Sequence, residues 1–285
     1  MTRSSVFTTS VFAGLMAFAA LSGCGENQYA EGVKYEQAKA YDKAFAAFKP
    51  LAEKGHKDAR FKLGVLYMNG TGTDKSLPRA FEMFSKAAEQ GQVDAMFNTG
   101  LFYDKGLGTE PSVENALKWY KQAADAGQKD AMLNLGNLYL FGRGVPKDIK
   151  QAYALYKKSA GLGQPIAQFN VAEMMMNGLG TEKKPAEAIG WYRKAADQGH
   201  AGALYRLGMI YQRGEIMAES PPDACRFFEK AAKLGHTEAQ FATGLCYANG
   251  YGVKANLDKA VFWLRKAAAR GHKNAIESLK ALGAQ

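Results

Sequence analysis

Residues 119–131 read WYKQAADAGQKDA, and residues 191–203 read WYRKAADQGHAGA, so nearly the same sequence recurs 72 residues later. A catalytic site needs one copy of its residues, whereas a structural unit that stacks on itself must be repeated for each layer. The recurrence therefore favours a repeat protein. The spacing of the other recurring residues gives the length of the repeat.

The chain repeats itself with a period of 36 residues. Alanine recurs at this spacing in one column, at Ala59, Ala95, Ala131, Ala167, Ala203, Ala239 and Ala275. Six units without insertion or deletion cover residues 57–272, namely 57–92, 93–128, 129–164, 165–200, 201–236 and 237–272. A period in this range predicts a solenoid, in which each unit packs on its neighbours.

Each unit has the pattern of two helices joined by a glycine-containing loop. In the second unit, apolar or small residues recur with helical spacing from Ala95 to Tyr103, the loop GLGTEPS follows, and a second helical pattern runs from Ala116 to Ala124. A closing glycine such as Gly127 suits a left-handed helix C-cap. Residues 29–56 are predicted to form an irregular N-terminal capping hairpin, and residues 273–285 a C-terminal capping helix.

The third unit carries the residues that relate the chain to a known family. These are Leu135 and Gly136, Tyr139, GRGV from Gly142 and YKKSA from Tyr156. On these residues the chain resembles Sel1-like repeats, which are related to the tetratricopeptide type. The resemblance implies an all-α, right-handed α/α solenoid. It also implies a scaffold, adaptor or inhibitor, since lipoproteins of this kind serve envelope assemblies, signalling and immunity to secreted toxins.

Two units depart from the family pattern. The fourth unit has Ala172 and Met175 where glycine and tyrosine are expected. The fifth unit replaces its Gly-x-Gly loop with GEIMAESPPDA, from Gly214 onwards. We expect the individual properties of this chain to be concentrated at these departures.

The N-terminus has the pattern of an export signal. Arg3 precedes the apolar run VFAGLMAFAAL at residues 11–21, and LSGC follows it directly. This run is too short to span a bilayer, which takes about 20 apolar residues. LSGC resembles the bacterial lipobox, which implies that residues 1–23 are a signal peptide and that Cys24 carries the lipid. An ordinary secretory signal with an incidental cysteine is the alternative.

The lipobox resemblance also gives a location. Residues 24–28 would form a short lipid-anchored linker, and the repeats would face the periplasm close to the membrane surface. Gly25, in place of an aspartate after the lipidated cysteine, favours the outer over the inner membrane.

No pattern in the sequence supplies a catalytic or metal site. The histidines share one column and are each at least one repeat apart, so they are predicted to be turn residues: His56, His200, His236 and His272. The sequence contains no S-x-x-K, so the serine and lysine of Sel1-like proteins labelled β-lactamases have no candidate here. We expect no enzymatic activity, cofactor or metal, and such a hydrolase is the remote alternative.

The formal net charge of +10 raises the possibility of an acidic partner. Many cations fall near the end of a second helix, where they complement the helix dipole: Lys86, Lys121, Lys158, Arg193, Lys194, Lys230, Arg265 and Lys266. Repetition of this local preference explains the excess. Because export also removes most nucleic-acid partners, we expect no nucleic-acid binding, while an anionic partner or surface stays open.

Cys225 and Cys246 have two interpretations. They could be small buried hydrophobic residues. They also flank Gly235 by ten and eleven residues, so antiparallel helices would place them at one level, and an exported protein meets oxidising conditions. A disulfide and a pair of free thiols therefore stay open.

One face of the first helices is predicted to bind a partner. Positions 2, 6, 9 and 13 of these helices share a face because they are spaced by four, three and four residues. In the central units they include Asn98, Asn134, Asn137, Phe141, Asn170, Glu173, Arg206 and Arg213. Three asparagines in one column could instead hydrogen-bond a neighbouring hairpin. Phe141 and Arg206 follow no column rule and resemble interface anchors.

These patterns together predict a non-catalytic repeat protein that works by binding another protein, as scaffold, adaptor or inhibitor. Membrane contact would be made through the lipid anchor alone. The alternative is an immunity protein that neutralises a secreted antibacterial effector of the lipase type. We expect a monomer.

Overall fold

The computed structural model describes residues 25–284, and within them the chain is all-α. The helices are α1 (25–37), α2 (Tyr41–Glu53), α3 (Lys57–Asn69), α4 (Leu77–Glu89), α5 (Val93–Lys105), α6 (Val113–Asp125), α7 (Lys129–Phe141), α8 (Ile149–Gly161), α9 (Pro165–Asn177), α10 (Pro185–Asp197), α11 (Ala201–Arg213), α12 (Pro221–Lys233), α13 (Thr237–Asn249), α14 (Leu257–Ala268) and α15 (Lys273–Ala281). The six predicted repeats, the N-terminal helix pair and the C-terminal helix are confirmed.

Each repeat consists of a first helix, a loop and a second helix. In the first repeat, α3 ends at Gly70, whose φ of 70° and ψ of 38° are left-handed, so a residue with a side chain would be strained there. The loop 70–76 then leads into α4, where Pro78 lies in the first turn and needs no hydrogen-bond partner for a backbone N–H. These local signals set the helix lengths.

A glycine in the first helix lets the second helix pack closely against it. A Cβ added to Gly64 would lie 2.7 Å from the ring of Phe84, and one added to Gly208 would lie 2.5 Å from the ring of Phe228. Both rings are almost fully buried. The missing side chain is therefore the space that the aromatic ring fills, and this contact holds these two hairpins together.

A second glycine packs the loop onto the preceding repeat. A Cβ on Gly72 would lie 2.2 Å from the carbonyl oxygen of Tyr41, at the start of α2. In the same way, a Cβ on Gly252 would lie 2.1 Å from the carbonyl oxygen of Pro221, at the start of α12. No side chain fits in these gaps, so the loop lies directly on the neighbouring backbone.

The N-terminal hairpin is a shortened version of the same unit. Its loop has three residues, 38–40, instead of the seven of loop 70–76. Gly32 and Phe48 are consequently four residues closer in sequence than the matching pair Gly64 and Phe84. A Cβ added to Gly32 would lie 2.5 Å from the ring of Phe48. Residues 25–28, which are predicted to form a linker after Cys24, belong to α1, and a Cβ at Gly25 would lie 3.9 Å from Leu51 on α2.

The chain divides into two compact units, Met1–Ala131 and Met132–Gln285, which we call the N-terminal and C-terminal units. In the N-terminal unit, Trp119 packs on a cluster of buried alanines. In the C-terminal unit, Trp191 and Trp263 belong to or pack on the largest core cluster. Among residues 25–284, no helix combines the length and the apolar character needed to cross a membrane.

Candidate functional site

Glu173 lies at the centre of a polar cluster in the C-terminal unit. Its carboxylate, on α9, accepts a hydrogen bond of 2.6 Å from the hydroxyl of Tyr192 on α10. It also pairs with the guanidinium of Arg206 on α11, at 2.7 Å from Nε and 2.8 Å from Nη2. Burial and the hydrogen bond to Glu173 raise the pKa of Tyr192, so the phenol remains a donor. The cluster ties the fourth repeat to the fifth.

A related hydrogen bond lies in the third repeat. The hydroxyl of Tyr156 donates to Oδ1 of Asn137 at 2.6 Å, and burial raises the pKa of Tyr156 to about 12. In the fifth repeat the corresponding buried ring is Phe228, which has no hydroxyl. The residue that corresponds there to Asn137 and Glu173 is the apolar Met209. Asn137 and Glu173 thus provide acceptors for buried tyrosines, a structural role that we did not expect from the sequence.

A cavity of about 390 Å³ lies beside the Glu173 cluster, between α9 and α11. Met176, Met209 and Ile210 supply its apolar wall. Lys183 and Arg213 lie at its edge together with Arg206. Neither Lys183 nor Arg213 forms an ion pair with any residue in the described part of the chain.

The fifth repeat, whose loop borders this cavity, lacks the loop glycine. Ile216 occupies the column in which Gly180 and Gly252 contact the backbone of the preceding second helix. The matching contact of Ile216 would be with Pro185 at the start of α10. A branched side chain does not fit in such a contact, and both residues instead line the cavity, with Ile216 38% exposed.

A second cavity, of about 690 Å³, lies between α11 and α13. Tyr205, Phe241, Leu245 and Tyr251 line it, and Met209 lines both cavities. The two cavities therefore form one continuous surface along α9, α11 and α13, which we call the first-helix groove. One half carries cations and the other half carries aromatic rings.

The predicted partner-binding residues fall into different places. Arg206 and Arg213 line the first-helix groove, and Glu173 adjoins it through Arg206. Phe141, at the end of α7, is the most exposed large hydrophobic side chain of the described residues, at 68%. Asn98 lies in the N-terminal unit and donates to the carbonyl oxygen of Asp94 in its own helix at 2.7 Å. The remaining asparagines are half-buried, at Asn134, Asn137 and Asn170.

All six repeats match the profile described as the Sel1 repeat, over residues 57–92, 93–128, 129–164, 165–200, 201–236 and 237–272. The chain belongs to the Sel1 repeat family.

Solved Sel1 repeat structures share this architecture. A Sel1 repeat protein from Oxalobacter formigenes is 29% identical, with a TM-score of 0.80, over 85% of this chain and 99% of that one. A protective antigen present in uropathogenic Escherichia coli strains is 31% identical, with a TM-score of 0.63, over 90% of this chain. The match spans 64% of the antigen's own length. No curated protein sequence matches the chain.

An immunity protein from Pseudomonas aeruginosa is more distant. It is 21% identical, with a TM-score of 0.48, over 75% of this chain and 81% of that one. A likeness at this level carries no argument about function. The immunity hypothesis therefore stays a prediction from the sequence.

The cysteines connect two Sel1 repeats. Cys225 on α12 and Cys246 on α13 are joined by a disulfide, with their Cα atoms 6.1 Å apart, a usual separation for this bond. Both residues are buried. Cys24, the predicted lipidation site, lies outside the described residues.

The histidines are helix N-caps rather than plain turn residues. Nδ1 of each accepts a hydrogen bond from the backbone N–H three residues later, at 3.1–3.3 Å, in His56, His200, His236 and His272. Glutamines take the same place in other Sel1 repeats, as at Gln92 and Gln164. Within residues 25–284, no three His, Cys, Asp or Glu side chains are grouped closely enough to hold a metal ion.

Proposed function

We propose that this chain is a non-catalytic envelope lipoprotein that binds another protein through the first-helix groove. The supporting observation is the pair of cavities that share Met209, since they place arginine, methionine and aromatic side chains side by side on one accessible surface. These residue types are enriched in protein interfaces. The fold alone does not specify a function, so the proposal depends on this surface.

Truncation of Met209 tests the binding surface. Met209 is half-buried and lines both cavities, so Met209→Ala removes contacts along the whole groove. With a partner purified from membranes, we expect the Kd to rise about 30-fold, the effect of losing an interface hot spot of about 2 kcal/mol. Calorimetry measures this change.

Met68→Ala is the matched control, because Met68 is a half-buried methionine of the N-terminal unit and does not line the groove. The same loss of affinity in both variants, or a loss that follows a fall in Tm, would reject the groove. Phe141→Ala then shows whether the interface extends to α7.

The membrane anchor is a separate part of the proposal. It is supported by LSGC directly after the apolar run, with Cys24 as the lipidated residue. Cys24→Ser should accumulate as unprocessed precursor that incorporates no palmitate analogue, whereas the unchanged chain should be labelled. Unlabelled wild-type protein would exclude lipidation without affecting the proposed groove.

A further inference from the structure

We infer that the first-helix groove binds an extended acidic segment of a protein partner, with carboxylates beside Ile216 and an aromatic side chain in the neighbouring cavity. This inference rests on the proposed protein-binding function and adds the chemistry of the partner. Three features carry it: the unpaired cations, the aromatic half of the groove and the exposed Ile216 in the cavity wall.

The cavity beside Ile216 has a surplus of cations. Lys183, Arg206 and Arg213 line it, against a single lining carboxylate, that of Glu215. Glu173 occupies the Arg206 guanidinium, which leaves Lys183 and Arg213 as the cations without an ion-pair partner among residues 25–284. A carboxylate placed between these two side chains would gain charge-assisted hydrogen bonds.

The other half of the groove suits an aromatic side chain. The rings of Tyr205 and Phe241 stack on His236 and His272, with centroids 4.7 Å and 4.4 Å apart, and are therefore held in place before a partner arrives. Tyr251 is fixed by donating a hydrogen bond of 3.1 Å to Glu219. Glu238 is the one charged residue that lines this half. Prearranged rings favour a planar apolar anchor.

The spacing of the two halves fixes the pattern of the segment. One cavity lies between α9 and α11 and the other between α11 and α13, so their centres are separated by about one helix spacing, roughly 10 Å. An extended chain covers this distance in about three residues. The expected segment therefore carries an aromatic residue about three positions away from its acidic residues.

Ile216 connects this site to the sequence. In other loops of the C-terminal unit, glycine contacts the start of the preceding second helix. Ile216→Gly should remove an apolar contact from the cavity wall, without removing any charged side chain. Leu179→Gly is the matched control, because Leu179 is an exposed apolar loop residue, 46% exposed, that does not line the groove.

Methionine methyl signals provide the test, with full-length protein labelled at its methionines. The probe is a Gly/Ser peptide with one Phe and, three residues away, the run Asp-Glu-Asp; a second probe has the reverse order. We expect one or both to shift the Met176 and Met209 signals and leave Met68 unchanged. A peptide with Asn and Gln in place of its acidic residues should bind about tenfold more weakly. Added salt should weaken the binding of the acidic peptide.

Charge reversal supplies a stricter test. Lys183→Glu with Arg213→Glu should abolish the shifts by the acidic peptide and create binding of a peptide with lysines at the acidic positions. Ile216→Gly should weaken binding of the acidic peptide, and Leu179→Gly should not. Absence of binding by both acidic peptides, equal binding of the neutral peptide, or the same shifts with inorganic phosphate would overturn the inference.

The two proposals fail in different ways. If Met209→Ala weakens binding of the purified partner but charge reversal leaves its affinity unchanged, the groove binds protein and the inference of an acidic segment is wrong. If the peptides bind as expected but Met209→Ala leaves the affinity for the purified partner unchanged, the groove has the inferred chemistry but is not the surface that binds that partner.

Discussion

His200 and His236 each cap a first helix and stack on an aromatic ring of the first helix before it, Phe169 and Tyr205 respectively. Burial lowers the pKa of His200, with a smaller contribution from His236. Burial also lowers the pKa of His236, although Glu238 opposes part of the effect. The cap needs Nδ1 without a proton, since this atom accepts the hydrogen bond from the helix.

These caps predict a stability that depends on pH. The unfolded chain protonates each histidine near its usual pKa of about 6.5, before the folded chain does. Stability is therefore fully present above that pH and falls as the pH drops through 6.5 towards the lowered folded pKa. We expect the double variant His200→Gln with His236→Gln to show a smaller change of Tm between pH 7.5 and 5.5 than the unchanged chain.

The glutamine variant has a precedent inside the chain, because Gln92 and Gln164 cap their helices through the same hydrogen bond. His200→Ala is the control that removes the cap itself, and it should cost about 1 kcal/mol at pH 7.5, a cost that shrinks as the pH falls and the histidine of the unchanged chain is protonated. An unchanged pH profile in the double glutamine variant would assign the dependence to other groups.

Glu173 illustrates which part of the site the sequence could not reveal. Its partners Tyr192 and Arg206 lie 19 and 33 residues away, and the repeat pattern specifies neither contact. Comparing the two columns across repeats does not reveal it either: Tyr156 and Tyr192 occur with polar residues at 137 and 173, but the buried Tyr120 occurs with the apolar Leu101.

At the scale of the element, glycine has opposite effects in the two helices of a hairpin. Gly208 on α11 faces the ring of Phe228, and a Cβ there would lie 2.5 Å from it. Gly190, within α10, has nothing within 4 Å of a hypothetical Cβ. The first glycine is required by packing, whereas the second only raises the conformational entropy of the unfolded chain.

Two alanine substitutions should separate these effects. Gly208→Ala should destabilise the C-terminal unit by about 1–3 kcal/mol, because the ring must move in a packed core. Gly190→Ala should stabilise it by about 0.5–1 kcal/mol, as expected for a helix interior. Chemical denaturation measures both. Equal effects of the two substitutions would show that α11 and α12 accommodate the added methyl group without cost.

The helices themselves were predictable because each column has one environment throughout the array. The recurring alanines, for example Ala95 and Ala203, are fully buried, so their spacing reports packing directly. The cavity beside Ile216 was not predictable in shape, although the irregular fifth loop marked its place. Its lining comes from α9, α10, α11 and two loops, and the repeat pattern does not give the conformation of the irregular fifth loop.

At the scale of the molecule, stability in a repeat array is a sum of local terms, since each repeat contacts only its neighbours. The disulfide between Cys225 and Cys246 links the fifth repeat to the sixth and should therefore stabilise that region in particular. In the chain-entropy model, closing a loop of this length adds about 3 kcal/mol.

We expect protein from an oxidising compartment to contain this disulfide, which mass spectrometry under non-reducing, alkylating conditions detects. Reduction should speed amide hydrogen exchange in α12 and α13 and leave exchange in α3 and α4 unchanged. Cys225→Ala with Cys246→Ala serves as the control, because its exchange should not respond to a reductant. Two free thiols in the exported protein would contradict the prediction.

The positions of the tryptophans have an optical consequence. Trp119 is the one tryptophan of the N-terminal unit, and Trp191 and Trp263 belong to the other. Phe227 stands in the same column, so the repeat accepts phenylalanine there. In a chain with Trp191→Phe and Trp263→Phe, tryptophan emission would thus come from Trp119 in the N-terminal unit alone. In a chain with Trp119→Phe, it would come from the C-terminal unit alone. Fluorescence during denaturation could then record the melting of each unit separately, without any attached dye.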